Sequence, residues 1–184
     1  MDHNDHVALI RSGVEPGGVW ADLGSGTGAF TLALADLLGP GSVIYSIDRD
    51  PRSLREQERR MRADFPDVDV RYRVADFSQP LNLPVLDGVL LANSLHFQPD
   101  AEAVVRQLRN ALRPGGRLII VEYDTDHGNR WVPWPLSFST WRVIADRAGY
   151  TGTRKLASRP SRFLGSMYAA VSVRPPARRT ETAK

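Results

Sequence analysis

Ala21-Asp22-Leu23-Gly24-Ser25-Gly26-Thr27-Gly28-Ala29-Phe30 is the stretch whose reading decides the fold. It follows the short apolar run Val19-Trp20-Ala21 and opens an apolar helical pattern, so it reads as a strand turning into a helix. Three glycines at alternate positions let the backbone turn sharply and let a ligand approach without meeting a Cβ. Backbone N–H groups at the start of the following helix then favour a negatively charged ligand group. A plain tight turn also uses glycine, so the weight of the loop depends on its neighbours.

Gly24, Gly26 and Ala29 satisfy the dinucleotide pattern G-x-G-x-x-G/A. Asp22, two residues before the first glycine, favours a different nucleoside ligand. A carboxylate there would repel a pyrophosphate and attract an ammonium or sulfonium group. Asp22 can also simply hydrogen-bond the turn it precedes, and the two roles are compatible.

Outward from the loop, residues 2–12 suit a short helix with Val7, Ala8, Leu9 and Ile10 apolar, stopped at Gly13. Pro16-Gly17-Gly18 turns the chain into the first strand. Phe30, Leu34, Leu37 and Leu38 recur at helical spacing until Gly39-Pro40-Gly41, and Val43–Ile47 forms a second strand ending at Asp48. Arg52–Phe65 reads as a helix with a narrow apolar stripe of Leu54, Met61 and Phe65. Its remaining faces carry Arg55, Glu56, Glu58, Arg59, Arg60 and Arg62, with Glu56/Arg60 and Glu58/Arg62 spaced to pair. No aromatic interleaves these arginines, which favours a solvated face over a nucleic-acid patch.

Val68, Val70, Tyr72 and Val74 alternate with charged residues, as in a strand with one wet face at a sheet edge. Gly88–Ala92 and Arg117–Val121 are nearly continuous apolar runs, as in strands covered on both faces. Between them Ala101, Val104, Val105, Leu108, Ala111 and Leu112 predict an amphipathic helix stopped by Pro114-Gly115-Gly116. After an irregular stretch, Asp124–Pro135, a helix presents Phe138, Trp141, Ile144, Ala145 and Ala148. Two last strands, near 153–159 and 166–173, are too close for a helical crossover and therefore pair antiparallel. The fold class is α/β: an open, mostly parallel seven-stranded sheet with helices on both faces and a C-terminal antiparallel hairpin. Residues 1–174 form one domain, with an N-terminal helical segment (1–18) and a core (19–173). The basic stretch 175–184 is expected to be a disordered, dispensable tail.

The chain of 184 residues has no cysteine, which excludes disulfides, thiolate metal sites and a cysteine nucleophile. His3 and His6 are the only close pair of histidines, so no metal site is expected. The formal charge of +3 is matched by residues 174–184 alone, where Arg174, Arg178, Arg179 and Lys184 face Glu181. Overall basicity is therefore no argument for nucleic acid. No apolar run approaches transmembrane length and the polar start is unlike a signal peptide, which points to a cytoplasmic protein with no membrane partner.

Asp22 through Gly28 resembles motif I, D/E-x-G-x-G-x-G, of the class I S-adenosylmethionine-dependent methyltransferases, and further motifs follow in that family's order. They are Ile47-Asp48 at the end of strand two, Val74-Ala75-Asp76-Phe77 after strand three, Leu91–Phe97 after strand four, and Leu112–Leu118 leading into strand five. The resemblance implies S-adenosyl-L-methionine as cofactor and in-line methyl transfer to an acceptor, most simply a small molecule, with RNA or protein acceptors left open. It implies that Asp22, Gly24, Ser25, Gly26, Thr27 and Gly28 hold the methionine end. Asp48 would take the ribose hydroxyls, a role that a carboxylate at a strand's carboxyl end also suits physically. Asp76 would take the adenine amino group, with Phe77 or Arg49 flanking the ring, and Asn93 would be a further cofactor-binding residue. Asp48 could instead cap the helix after Pro51, and Asp76 could be a turn residue.

Candidates for acid–base work near the strand-four and strand-five tips are His96, Glu122, Tyr123 and His127, although His96 and Glu122 could be purely structural. Trp131 and Trp134 are candidate walls of the acceptor side. Asn93-Ser94-Leu95-His96 is not the D/N-P-P-Y/F motif of amino-methylating enzymes. A partner-activating, non-catalytic subunit and a nicotinamide-dependent oxidoreductase are the rival functions; the second leaves Asp22 and the terminal hairpin unexplained.

Overall fold

The structure is a computed structural model, described here for residues 1–176. Helix α1 (His3–Ile10) leads to β1 (Val19–Leu23), then α2 (Ala29–Leu38), β2 (Val43–Asp48), α3 (Pro51–Asp64) and β3 (Asp69–Val74). β4 (Leu86–Ala92), α4 (Ala101–Arg109), β5 (Leu112–Tyr123), α5 (Phe138–Arg147), β6 (Thr151–Ser161) and β7 (Gly165–Val173) complete it. The seven strands lie in the order β3-β2-β1-β4-β5-β7-β6. β3 through β5 are parallel, and β7 runs antiparallel between β5 and β6.

Period-2 alternation divides the strands between two cores. Ala21, Leu23, Val89, Leu91, Leu118 and Ile120 pack with α4 and α5 on one face. Trp20, Leu90, Ile119 and Val121 pack with α1, α2 and Met61 of α3 on the other. The expected sheet, with helices on both faces and an antiparallel terminal hairpin, is the observed one. β3 is the edge strand that its alternation predicts, and its Arg71 and Asp69 pair on the wet face at 2.9 Å. Of the two pairs expected on α3, Glu58–Arg62 forms. Among the described residues no helix is long and apolar enough to cross a membrane.

One expectation is corrected. Pro114-Gly115-Gly116 does not stop α4, which ends at Arg109; the three residues lie inside β5. β4 pairs Leu86 with Leu112 and Gly88 with Arg117, so the extra residues of β5 bulge out, with Gly115 at φ +79°. Arg174 holds the bulge in place: its backbone exchanges bonds of 2.8 Å with Gly115 and Gly116. Its guanidinium donates to the carbonyls of Arg109 and Leu112, satisfying the end of α4. The last strands are also longer than their apolar runs, because backbone pairing continues through polar residues. Most of the expected disordered tail, 177–184, lies outside the described residues.

The strand order reverses beside β1: β2 and β3 lie on one side of it, β4 and β5 on the other. Such a switch point opens a crevice outside the carboxyl ends of the strands.

Candidate active site

A cleft of about 240 Å³ occupies that switch point. It is lined by Gly24 and Gly26 after β1, Asp48 and Arg49 after β2, Ala75, Asp76 and Phe77 after β3, and Asn93, Ser94 and Phe97 after β4. A roomier groove along α4, between Asp100 and Asn110, is lined by none of the residues at the carboxyl ends of the strands.

The glycine loop is pinned to the end of β2. Gly24 and Ser25 N–H both donate to the Ile47 carbonyl, and Gly26 N–H donates to Asp48 Oδ2 at 2.8 Å. Gly24, Gly26 and Gly28 have φ of +72°, +53° and +89°, a region that costs other residues dearly. A Cβ at Gly24 would stand 2.5 Å from Ser94 Cβ, and one at Gly28 2.4 Å from Gln57 Cγ. α1, α3, α4 and α5 each have a side-chain N-cap, from Asp2, Asp50, Asp100 and Ser137. α2 has none, since its cap position is Gly28. Its first N–H groups are thus left for an anionic ligand group.

Asp48 accepts from Gly26 N–H and from Asp50 N–H, both at 2.8 Å, and still faces the cleft. A carboxylate has about four acceptor sites, so two remain for ligand hydroxyls. Asp50, not Asp48, caps α3, through Arg52 and Ser53 N–H. Asp76 closes a turn by accepting from Ser78 N–H at 2.9 Å, a bond that holds its carboxyl below the usual range, and it also lines the cleft. Phe77, nearly buried, provides an apolar wall. Asn93 has φ +52°, and its buried Oδ1 has no hydrogen-bond partner among the described residues. A strained backbone and an orphaned acceptor in a cleft fit a ligand that brings an N–H or O–H donor. Acceptors for hydroxyls and an amine, an apolar ring wall and uncapped helix donors together suit an amino-acid-bearing nucleoside.

Asp22 is sealed beneath the loop and does not line the cleft. Thr31 Oγ1 donates to it at 2.5 Å. Burial pushes its carboxyl up to about 7; the Thr31 bond opposes that shift and the Asp48 charge adds to it. Ser25 is buried behind the loop and Thr27 is exposed, so neither side chain faces the cleft.

Gln57 escaped the sequence reading. It is fully buried on the otherwise charged α3, with Oε1 2.8 Å from Ser46 Oγ and its side chain packed against Gly28. Ser46 Oγ lies 2.8 Å from Ser25 Oγ, which completes a polar cluster behind the glycine loop. The signal was available: Gln57 falls on the stripe of Leu54 and Met61 at i+3 and i−4.

Beside the cleft, β5 presents Glu122 to the short helical turn after β4. Glu122 is fully buried; its Oε1 accepts from His96 N–H at 3.1 Å and its Oε2 lies 2.7 Å from His96 Nδ1. An ionised Glu122 therefore holds the proton on Nδ1 and leaves the Nε2 lone pair free. Nε2 makes no hydrogen bond among the described residues, and the ring packs at a tilt of 53° against Phe97 of the cleft wall, centroids 4.4 Å apart. Tyr123 stands at 6.0 Å from the His96 ring. His127, Trp131 and Trp134 share the exposed loop after β5 and do not line the cleft, but Trp134 N–H donates to the His96 carbonyl at 3.1 Å.

Strand order, the reversed last strand and an acidic cleft over a glycine loop define an α/β methyltransferase domain of the S-adenosylmethionine-dependent class. A family model described as a methyltransferase domain matches residues 15–140, and the chain belongs to that family. It is 31% identical over 114 residues to the ubiquinone/menaquinone biosynthesis C-methyltransferase UbiE of Pasteurella multocida, which covers 61% of this chain and 42% of that protein. The chain thus spans less than half the length of that relative. Its fold is shared with the CurJ carbon methyltransferase (TM-score 0.71, 18% identity, 88% of this chain and 49% of that one). It is shared also with the magnesium protoporphyrin IX methyltransferase of Synechocystis, solved with bound S-adenosylmethionine (TM-score 0.68, 21% identity, 94% of this chain and 77% of that one).

Proposed function

We propose that this chain binds S-adenosylmethionine in the switch-point cleft and catalyses methyl transfer to a small-molecule acceptor that must give up a proton, with an acidic carbon as the acceptor atom. The observation that carries this reading is the switch-point cleft together with the buried His96–Glu122 couple, which lies behind the wall residue Phe97 and does not itself line the cleft. Asp48 would hold the ribose hydroxyls, Asp76 and Phe77 the adenine, and the α2 amino terminus the carboxylate of the methionine portion. Arg49 lines the same cleft. The cofactor supplies an electrophilic methyl group, so the chain's own task is alignment and proton removal. His96 Nε2 is the proton acceptor, and Glu122 keeps the imidazole in the tautomer that allows it. Trp131 and Trp134 would wall the acceptor's approach. The C-methylating relatives support a carbon acceptor: UbiE by sequence, and CurJ by fold alone.

Calorimetry with S-adenosylmethionine, S-adenosylhomocysteine and NAD tests the cofactor, and transfer of a labelled methyl group to a panel of phenols and β-dicarbonyl compounds tests the reaction. Binding of NAD in preference to both sulfur nucleosides would reject the first part. Binding with methylation at oxygen or nitrogen alone would reject the carbon assignment.

A further inference from the structure

Among the described residues four aromatic side chains have large exposed areas, and all four lie at the carboxyl end of the parallel strands. They are Phe97 (47% exposed), Trp131 (70%), Trp134 (47%) and Phe163 (50%). Contacts link three of them into one collar, and Trp131 lies in the same loop as Trp134. Trp134 N–H bonds the His96 carbonyl, His96 packs against Phe97, and Tyr123 spans from His96 at 6.0 Å to Phe163 at 5.9 Å. Phe163 belongs to the turn between β6 and β7, which reaches this end because β7 runs antiparallel to β5. A small acceptor has no need of so wide a rim, and scattered surface packing would not gather every exposed aromatic at one mouth.

The charges beside the collar are sorted by direction. Arg130 precedes Trp131 and Arg162 precedes Phe163; both are exposed and form no salt bridge among the described residues. The neighbouring carboxylates are engaged within the chain. Asp124 accepts from Lys155 Nζ and Phe138 N–H, and Asp126 accepts from Ser137 N–H and Oγ. Guanidinium groups facing out between Trp and Phe rings match an anionic lipid–water interface, where amphipathic rings sit at headgroup depth and arginines meet lipid phosphates. A protein partner's core would instead tend to exclude such free charge.

We propose that this collar docks the mouth of the cleft onto an anionic lipid surface, so that an apolar acceptor can be taken from the membrane. Surface docking needs no spanning helix. The acceptor clause rests on the proposed methyl transfer; the docking does not. The test is co-flotation of the full chain with vesicles of one part phosphatidylglycerol to two parts phosphatidylcholine, at 50 mM and 500 mM salt. A parallel variant carries Trp131→Ser, Trp134→Ser and Phe163→Ser, and S-adenosylmethionine affinity is measured for both proteins.

The expected result is vesicle binding that weakens with salt and falls about tenfold or more in the variant, with cofactor affinity held within about twofold. Unbound wild type at 50 mM salt would overturn the proposal. So would equal binding by the variant, which retains the basic stretch 177–184 and would then owe its binding to that or another surface. A wild-type dimer in light scattering that the variant abolishes, without vesicle binding, would assign the collar to a second copy. Cofactor affinity lost together with vesicle binding would mean that the substitutions had disturbed the domain, and Trp131→Ser alone, at the most exposed of the four rings, then decides the matter: undiminished vesicle binding with cofactor affinity intact overturns the docking, and a selective loss of vesicle binding supports it.

Discussion

Glu122→Gln separates a catalytic from a structural His96–Glu122 couple. Glu122 is fully buried and its two oxygens serve His96 N–H and Nδ1. Glutamine keeps the shape, and its Oε1 can still accept from His96 N–H. Its amide N–H₂, however, now faces Nδ1 and can bond it only if the imidazole proton moves to Nε2. The hydrogen-bond count is preserved, so the stability loss should be about 1–2 kcal/mol, or roughly 2–8 °C in Tm for a domain of this size. Glu122→Ala leaves both donors buried and unmet and should cost more, on the order of 2–6 kcal/mol.

The catalytic consequence follows a different scale. With Nε2 protonated, the imidazole no longer takes a proton from the acceptor, and general-base catalysis typically contributes about 10²- to 10⁴-fold. The assay is single-turnover methyl transfer at saturating cofactor, with melting curves and cofactor calorimetry on the same preparations. Glu122→Gln should lose about 10²-fold or more in rate while holding cofactor affinity within about threefold. A folded glutamine variant with wild-type turnover would refute the tautomer argument and leave Glu122 as a strut between two loops.

Three further outcomes follow from the site. Asp48→Ala should weaken S-adenosylmethionine binding by roughly 1.5–3 kcal/mol, as for hydrogen bonds to a charged group; unchanged affinity by calorimetry in a folded variant rejects the ribose role. Asp22 binds its proton more tightly folded than unfolded, because its carboxyl is raised from 3.8 to about 7. Its contribution therefore declines as pH rises from about 4 to 7 and is flat beyond, so urea melts should show a stability loss across that window that Asp22→Asn reduces. Parallel profiles for the two proteins would show that Asp22 titrates normally. Gly28→Ala meets both a left-handed backbone and the Gln57 side chain. It should cost about 1–2 kcal/mol of stability and a larger share of cofactor affinity, and a variant that binds cofactor normally would show that the loop geometry is dispensable.

Legibility in the sequence followed the range of the interactions. The strands of the double-sided sheet were readable because burial on both faces demands continuous apolar runs, and β3 was readable as an edge because its wet face demands alternation. The cleft was readable at Gly24, Asp48, Asp76, Phe77 and Asn93, since each sits at or within a few residues of the carboxyl end of a parallel strand and the fold carries those ends together. Pro114-Gly115-Gly116 was misread because its local stop signal is real, while the pairing that draws it into β5 comes from Arg174, some sixty residues away. The carboxylate that caps α3 differs by two positions from the one considered, a distinction that depends on which of Asp48 and Asp50 meets the glycine loop.

The roles of Asp22 and Gln57 were hidden by a different cause. From sequence, a carboxylate before a glycine loop has a ligand charge to meet, and a glutamine on a charged helix has solvent to meet. Folding puts both beneath the loop instead: Asp22 against Thr31, and Gln57 against Gly28 and Ser46. They thus form the floor on which the loop's left-handed glycines rest, and the cleft is built on that floor. A buried carboxylate shifted to about 7 is costly to ionise. Its nearest charged neighbour is Asp48, of the same sign, so a cation entering the cleft is the partner that would lower that cost. A sulfonium would therefore be favoured over a pyrophosphate through the field beneath the loop, Asp22 itself lying outside the cleft lining.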